Sequence, residues 1–153
     1  MRPIFFERPW GGDSLARFYG KNIPSGKIIG ESWEVADRPA AQSTIIDGFF
    51  DGWTLRQVLE TDAPSILGAL AEQTKRFPLL AKFIDAASDL SVQVHPDDNG
   101  ARRYGDSGKT ECWIVLRAKQ DARIIRGLKP GVSREAFQQA VKEDRVEFVL
   151  HSF

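Results

Sequence analysis

Apolar and polar residues alternate most sharply over Leu90-Ser91-Val92-Gln93-Val94-His95. A strand with this period turns Leu90, Val92 and Val94 to one face and Ser91, Gln93 and His95 to the other. Pro96-Asp97-Asp98-Asn99-Gly100 ends it. Glu111 to Arg117 repeats the pattern, with Glu111, Trp113 and Val115 opposite Cys112, Ile114 and Leu116. Further strands are expected over 122–126 and 146–150, and over the apolar run Phe77 to Ile84, which holds a single charge. The first 53 residues place short strand-like segments, such as Glu31 to Val35, between turn formers such as Pro24-Ser25-Gly26 and Asp51-Gly52. Thr54 and Gln57 fit a capping box that opens a short helix over 55–60. Leu67, Leu70 and Ala71 mark a second helix over 64–73, and Ser133 caps a third over 134–143. The pattern predicts a mainly β fold with short helices, organised as a single domain over 1–153.

Composition narrows the classes. The chain has 153 residues, 42% apolar and 27% charged, which is a globular rather than a disordered balance. Lys plus Arg and Asp plus Glu number 21 each, so whole-chain attraction to nucleic acid or to an anionic membrane is excluded as its main business. Residues 1–100 carry a balance of −4 and residues 101–153 one of +4. The halves either neutralise each other across the fold or leave an anion site near Arg102, Arg103 and Lys109. One cysteine, Cys112, excludes an intrachain disulfide and a multi-cysteine zinc site. No apolar run approaches the roughly 18 residues of a membrane span, and Ile4-Phe5-Phe6 is too short for a signal-peptide core. A soluble, cytoplasmic protein is expected.

Candidate chemistry centres on the polar face of the first alternating segment. Gln93 and His95 lie two residues apart, roughly 7 Å along an extended chain, within reach of one ion. Glu111 opens the next alternating segment and can converge on the same point if the two are neighbours. One imidazole, one carboxylate and one amide oxygen suit Zn²⁺ or a similar divalent ion, with at least one position left to fill. The plainer alternative is a strand with one face in water, on which Ser91, Gln93 and His95 are ordinary surface residues.

Several stretches together resemble the type I phosphomannose isomerase family in its short bacterial form. They are Pro9-Trp10-Gly11-Gly12, Gly30-Glu31-Ser32-Trp33-Glu34-Val35-Ala36-Asp37, Phe77 to Asp85, Leu90 to Asp98 with its Gln-x-His-Pro core, and Gly108-Lys109-Thr110-Glu111-Cys112-Trp113. They occur in the family's order and span about residues 9–117. The resemblance implies a cupin-type β-barrel (jelly roll), incomplete in this chain. It implies zinc ligands at Gln93, His95 and Glu111, an active-site lysine at Lys109 and a substrate-contacting serine at Ser91. The implied activity interconverts mannose 6-phosphate and fructose 6-phosphate through a cis-enediol. An ammonium at Lys109 would then serve as an electrostatic clamp or as a base. Trp33 and Trp113 are expected to pack in the core rather than to stack on sugar.

The sequence also departs from the family. The Pro-x-Gly-x-x-His stretch that carries a fourth ligand has no counterpart: Pro130-Gly131 is followed by Val-Ser-Arg, and His151 is a poor substitute. The expectation is therefore an N-terminal portion of such an enzyme, ending at Phe153, that is poorly active alone and prone to self-association. A non-catalytic cupin that binds a sugar or sugar phosphate is the competing class, and a structural cupin fragment without a ligand is a third.

Overall fold

Close approach of backbones sets the first sheet. The computed structural model describes all residues, 1–153, as two units, Met1–Leu90 and Ser91–Phe153. In the first, β1 (Ile4–Gly12) leads into α1 (Ser14–Tyr19), and β2 (Ile29–Val35) returns antiparallel to β1 with Ile4 opposite Trp33 and Phe6 opposite Glu31. The register slips between Phe6 and Glu7 and again before Gly12, so the end of β1 curls over Ile29. Glycine is required there. A Cβ on Gly11 would stand 2.7 Å from the Gly30 nitrogen, and one on Gly30 would meet the Arg8 and Trp10 side chains at 2.6 Å. A two-stranded ribbon, β3 (Asp37–Arg38) with β4 (Ala41–Gln42), follows β2.

Helix α2 (Leu55–Leu67) begins with the expected capping box: Thr54 accepts the Gln57 N–H and the Gln57 side chain accepts the Thr54 N–H. The two helices expected over 55–60 and 64–73 run on as one, broken at Asp62, whose φ of −150° is not helical, just before Pro64. A 3₁₀ stretch, Gly68–Glu72, completes the second. Leu55, Leu59 and Leu67 form a core with Val35 and Phe77. The expected strand over 77–84 shortens to β5 (Ala81–Ile84), which pairs with the other edge of β2.

Side chains lock this sheet. Asp85, just after β5, accepts the backbone N–H groups of Ser14 and Leu15 at the start of α1, at 2.6 and 3.2 Å. Glu31, buried in central β2, takes Arg8 from β1 and Lys82 from β5, each at 3.2 Å, and the Trp33 indole N–H at 2.9 Å. Burial pushes its carboxyl upward, but the Trp33 bond and the two cations outweigh this and hold it below the usual carboxylate range. Trp33 thus packs against Phe6, with ring centroids 4.5 Å apart, as expected of a packing residue.

The second unit contains α3 (Asp98–Arg102), α4 (Arg134–Lys142) and a ribbon of β6 (Ile125–Leu128) with β7 (Leu150–Ser152). Ser133 caps α4 by accepting the Ala136 N–H, as expected. The strand expected over 122–126 forms three residues later. That expected over 146–150 becomes a 3₁₀ turn, Val146–Phe148, ahead of β7.

The larger correction concerns 90–95 and 111–117. Neither joins a sheet; the strands form one three-stranded and two two-stranded sheets without them. A strand exists by pairing, and alternation supplies a face but no partner. Val94 and Ile114 accordingly remain 79% and 82% exposed. Trp113, expected to pack in the core, is 54% exposed for the same reason. No helix is long and apolar enough to cross a membrane.

Candidate functional site

All the residues singled out for chemistry fall in the second unit, and all but His151 lie on the two unpaired segments or the loop between them. His95 precedes Pro96, which biases it toward extended backbone, and α3 starts directly afterwards with Asp97 as its N-cap. The chain then turns through Tyr104-Gly105-Asp106 and comes back along Gly108 to Glu111.

This return brings three side chains together. Lys109 Nζ lies 2.8 Å from Glu111 Oε1 and 3.3 Å from His95 Nε2, and His95 Nε2 lies 3.4 Å from Glu111 Oε2. The three are about one-third exposed. Lysine can only donate, so Nε2 accepts from Lys109 in the tautomer that carries its proton on Nδ1, and faces Glu111 Oε2 as a donor in the other. In the Nδ1–H tautomer, His95 Nε2 and Glu111 Oε2 are two lone-pair donors facing each other, with the Lys109 ammonium beside both.

That arrangement fits a divalent ion. Around tetrahedral Zn²⁺ with bonds of about 2.0–2.2 Å, neighbouring donors stand roughly 3.3–3.5 Å apart, and Nε2 and Oε2 are 3.4 Å apart. Gln93 is not one of the three converging side chains; its amide nitrogen donates to Ser91 Oγ at 3.1 Å, which leaves Oε1 as an acceptor. No three His, Cys, Asp or Glu side chains gather in the chain, so a metal here depends on this mixed donor set.

The other candidates stand elsewhere. Arg102 and Arg103 end α3 as exposed side chains. His151 sits in β7 with its ring 4.4 Å from that of Phe153. Cys112 is free and exposed. A shallow depression of about 310 Å³ beside α4, lined by Ala136, Ala140, Arg145, Phe148 and Val149, includes none of the candidate residues.

Sequence reasoning gave Gly11, Gly12, Gly30, Glu31 and Asp85 no chemical role. The structure gives them a joint task, the locking of the first sheet, and none of them belongs to the His95 cluster. It also missed Asp98, whose carboxylate accepts the Gly108 N–H at 2.8 Å; its place in an acidic pair after His-Pro was the only signal.

Comparison with known proteins adds the following. Residues 1–109 match the family model of the phosphomannose isomerase type I catalytic domain. The chain is 44% identical over 144 residues to "Probable mannose-6-phosphate isomerase GmuF" of Bacillus subtilis, an alignment covering 93% of this chain and 44% of that protein. It is also 44% identical over 129 residues to mannose-6-phosphate isomerase ManA of the same organism, covering 83% and 39%. The crystal structure of the Bacillus subtilis mannose 6-phosphate isomerase superposes with a TM-score of 0.89 at 34% identity, covering 99% of this chain and 48% of that one. The chain thus spans less than half the length of the relatives it matches. The cupin-type, mainly β fold with short helices expected from the sequence is borne out by this likeness, although its strands stand in three separate sheets and close no barrel.

Proposed function

The chain belongs to the phosphomannose isomerase type I catalytic-domain family, and on that premise we propose that residues 1–153 act as one cupin-like catalytic region of a zinc-dependent aldose–ketose isomerase. Its substrates in this reading are mannose 6-phosphate and fructose 6-phosphate, taken in the cytoplasm. The observation that carries the reading is the convergence of His95, Lys109 and Glu111 within 3.4 Å.

Gln93 Oε1, His95 Nε2 and a Glu111 oxygen would hold the ion, with a position left for water or substrate. When bound, the metal supplies Lewis acidity to a sugar oxygen. The remaining work falls to the chain. Isomerisation removes a proton from C2 of the aldose and delivers one to C1, with O1 gaining and O2 losing a proton, so no electrons leave the sugar. Negative charge grows on the oxygens as the cis-enediol forms. Lys109, fixed by Glu111, places an ammonium where that charge develops and stabilises it more than the ground state. Ser91 accepts from Gln93 and keeps its own O–H for a phosphate oxygen.

The test is a zinc titration of the chain and of Glu111→Ala, followed by a coupled assay for fructose 6-phosphate. One zinc per chain is expected, weakened at least about tenfold in Glu111→Ala, with any turnover lost in the same variant. Zinc uptake that ignores Glu111→Ala overturns the site. Zinc and sugar-phosphate binding with no turnover assigns the chain to non-catalytic binding instead.

A further inference from the structure

His95 and Glu111 lie on separate segments, neither of which is paired into a sheet, so something other than a β-ladder must hold them in register. Asp98 accepts the Gly108 N–H at 2.8 Å. It stands three residues after His95, and Gly108 stands three before Glu111 and next to Lys109. The bond closes the intervening loop at its neck. Asp97, just before that loop, caps α3 through the Gly100 N–H; inside it the Asp106 N–H returns to the Ala101 carbonyl, and Ala101 is buried. Gly108 has no room for a side chain: a Cβ would lie 2.8 Å from the Asp98 nitrogen and 3.0 Å from the Asp97 carbonyl carbon. The two strands of the neck are therefore in backbone contact as well as hydrogen-bonded.

We propose that Asp98 is a positioning residue, and that its clasp on Gly108 sets the distance between His95 and the Lys109–Glu111 pair. Its geometric content stands on these contacts alone; its bearing on metal binding rests on the function proposed above. Asp98 touches neither ion nor substrate and acts through the chain.

The test uses the whole 153-residue chain and two readouts. In the metal-free protein, nuclear Overhauser contacts between the His95 ring and the Lys109 and Glu111 methylenes report the register. Titration with Zn²⁺ reports its consequence. Asp98→Ala is expected to lose the contacts and to weaken zinc about tenfold, the scale of a lost supporting partner. Asp98→Asn, which keeps an acceptor oxygen, restores both. Asp97→Ala removes the α3 cap but leaves both intact. Gly108→Ala, with Asp98 unchanged, reproduces the loss by crowding the neck. Contacts that persist in Asp98→Ala, or an Asp98→Asn no better than Ala, overturn the clasp. Contacts that follow this pattern in a chain that takes up no zinc uphold the clasp and refute the metal site, so the two failures are told apart.

Discussion

Residues 1–90 and 91–153 both carry alternating apolar segments, but their fates differ. The first unit buries Leu15, Ile29, Leu55, Val58, Leu59 and Leu67, and its central strand has a partner on each edge. In the second unit only Ala101 and Ala140 are buried, and the two most regular alternating segments of the sequence lie outside any sheet. Alternation encodes a surface to be covered, and pairing supplies the cover. The contrast also separates two kinds of local order. The first unit is held by a core and by charges shared among strands. The candidate site in the second is held by short hydrogen bonds around one loop.

Hydrogen exchange should expose this contrast most directly. Amides of β2 are expected to exchange on the order of a thousandfold more slowly than those of 91–95 and 111–117; equal protection would erase the distinction. Next in size is Arg56→Ala. Asp37 is fully buried and its Oδ2 pairs with Arg56 at 2.7 Å and accepts the Phe77 N–H at 2.9 Å, while its Oδ1 has no partner. Removing the guanidinium strands a buried carboxylate, at a cost of about 3 kcal/mol. Denaturant unfolding should register that loss in residues 1–90.

Glu31→Gln should cost less, about 1–2 kcal/mol for its charge-assisted bonds, and should change the pH response. Because folding lowers the Glu31 pKa, its contribution is complete above the unfolded value and disappears as pH falls through the folded one. The variant should therefore show a flatter acid limb in a stability–pH series, and an unchanged limb would remove Glu31 from acid unfolding. The smallest effect concerns the site. Lys109→Met removes the cation beside His95 and Glu111, and in this partly exposed setting zinc should bind about fivefold tighter, for roughly 1 kcal/mol of lost competition. Weaker zinc binding would mean that Lys109 supports the donors rather than competing for them.

Local signals in the sequence proved the most readable. Thr54 and Gln57 announced a capping box, Ser133 an N-cap, and the Gly11 and Gly30 stretches a family likeness, because each depends on near neighbours or on a strict steric demand. Residue type and spacing raised Gln93, His95 and Glu111 as candidate chemistry beside the plainer reading of a solvated face, and Lys109 entered through the family resemblance. The assembly of the site was not legible, since the neck at Asp98 and Gly108 depends on how a ten-residue separation folds back on itself. Pairing was the least readable. Segments 90–95 and 111–117 satisfy every strand rule that concerns a single segment, and those rules do not mention a neighbour.

The match to the family model ends at residue 109, two positions short of Glu111. The matched residues 1–109 include the glycine packing and charge locking of the first sheet, which do not depend on Glu111. On the function proposed above, a variant with Glu111 replaced would keep these features and lose its metal. Whether a chain of this kind can work is therefore better judged at positions 93, 95, 109 and 111, one residue at a time, than from the strength of its overall likeness.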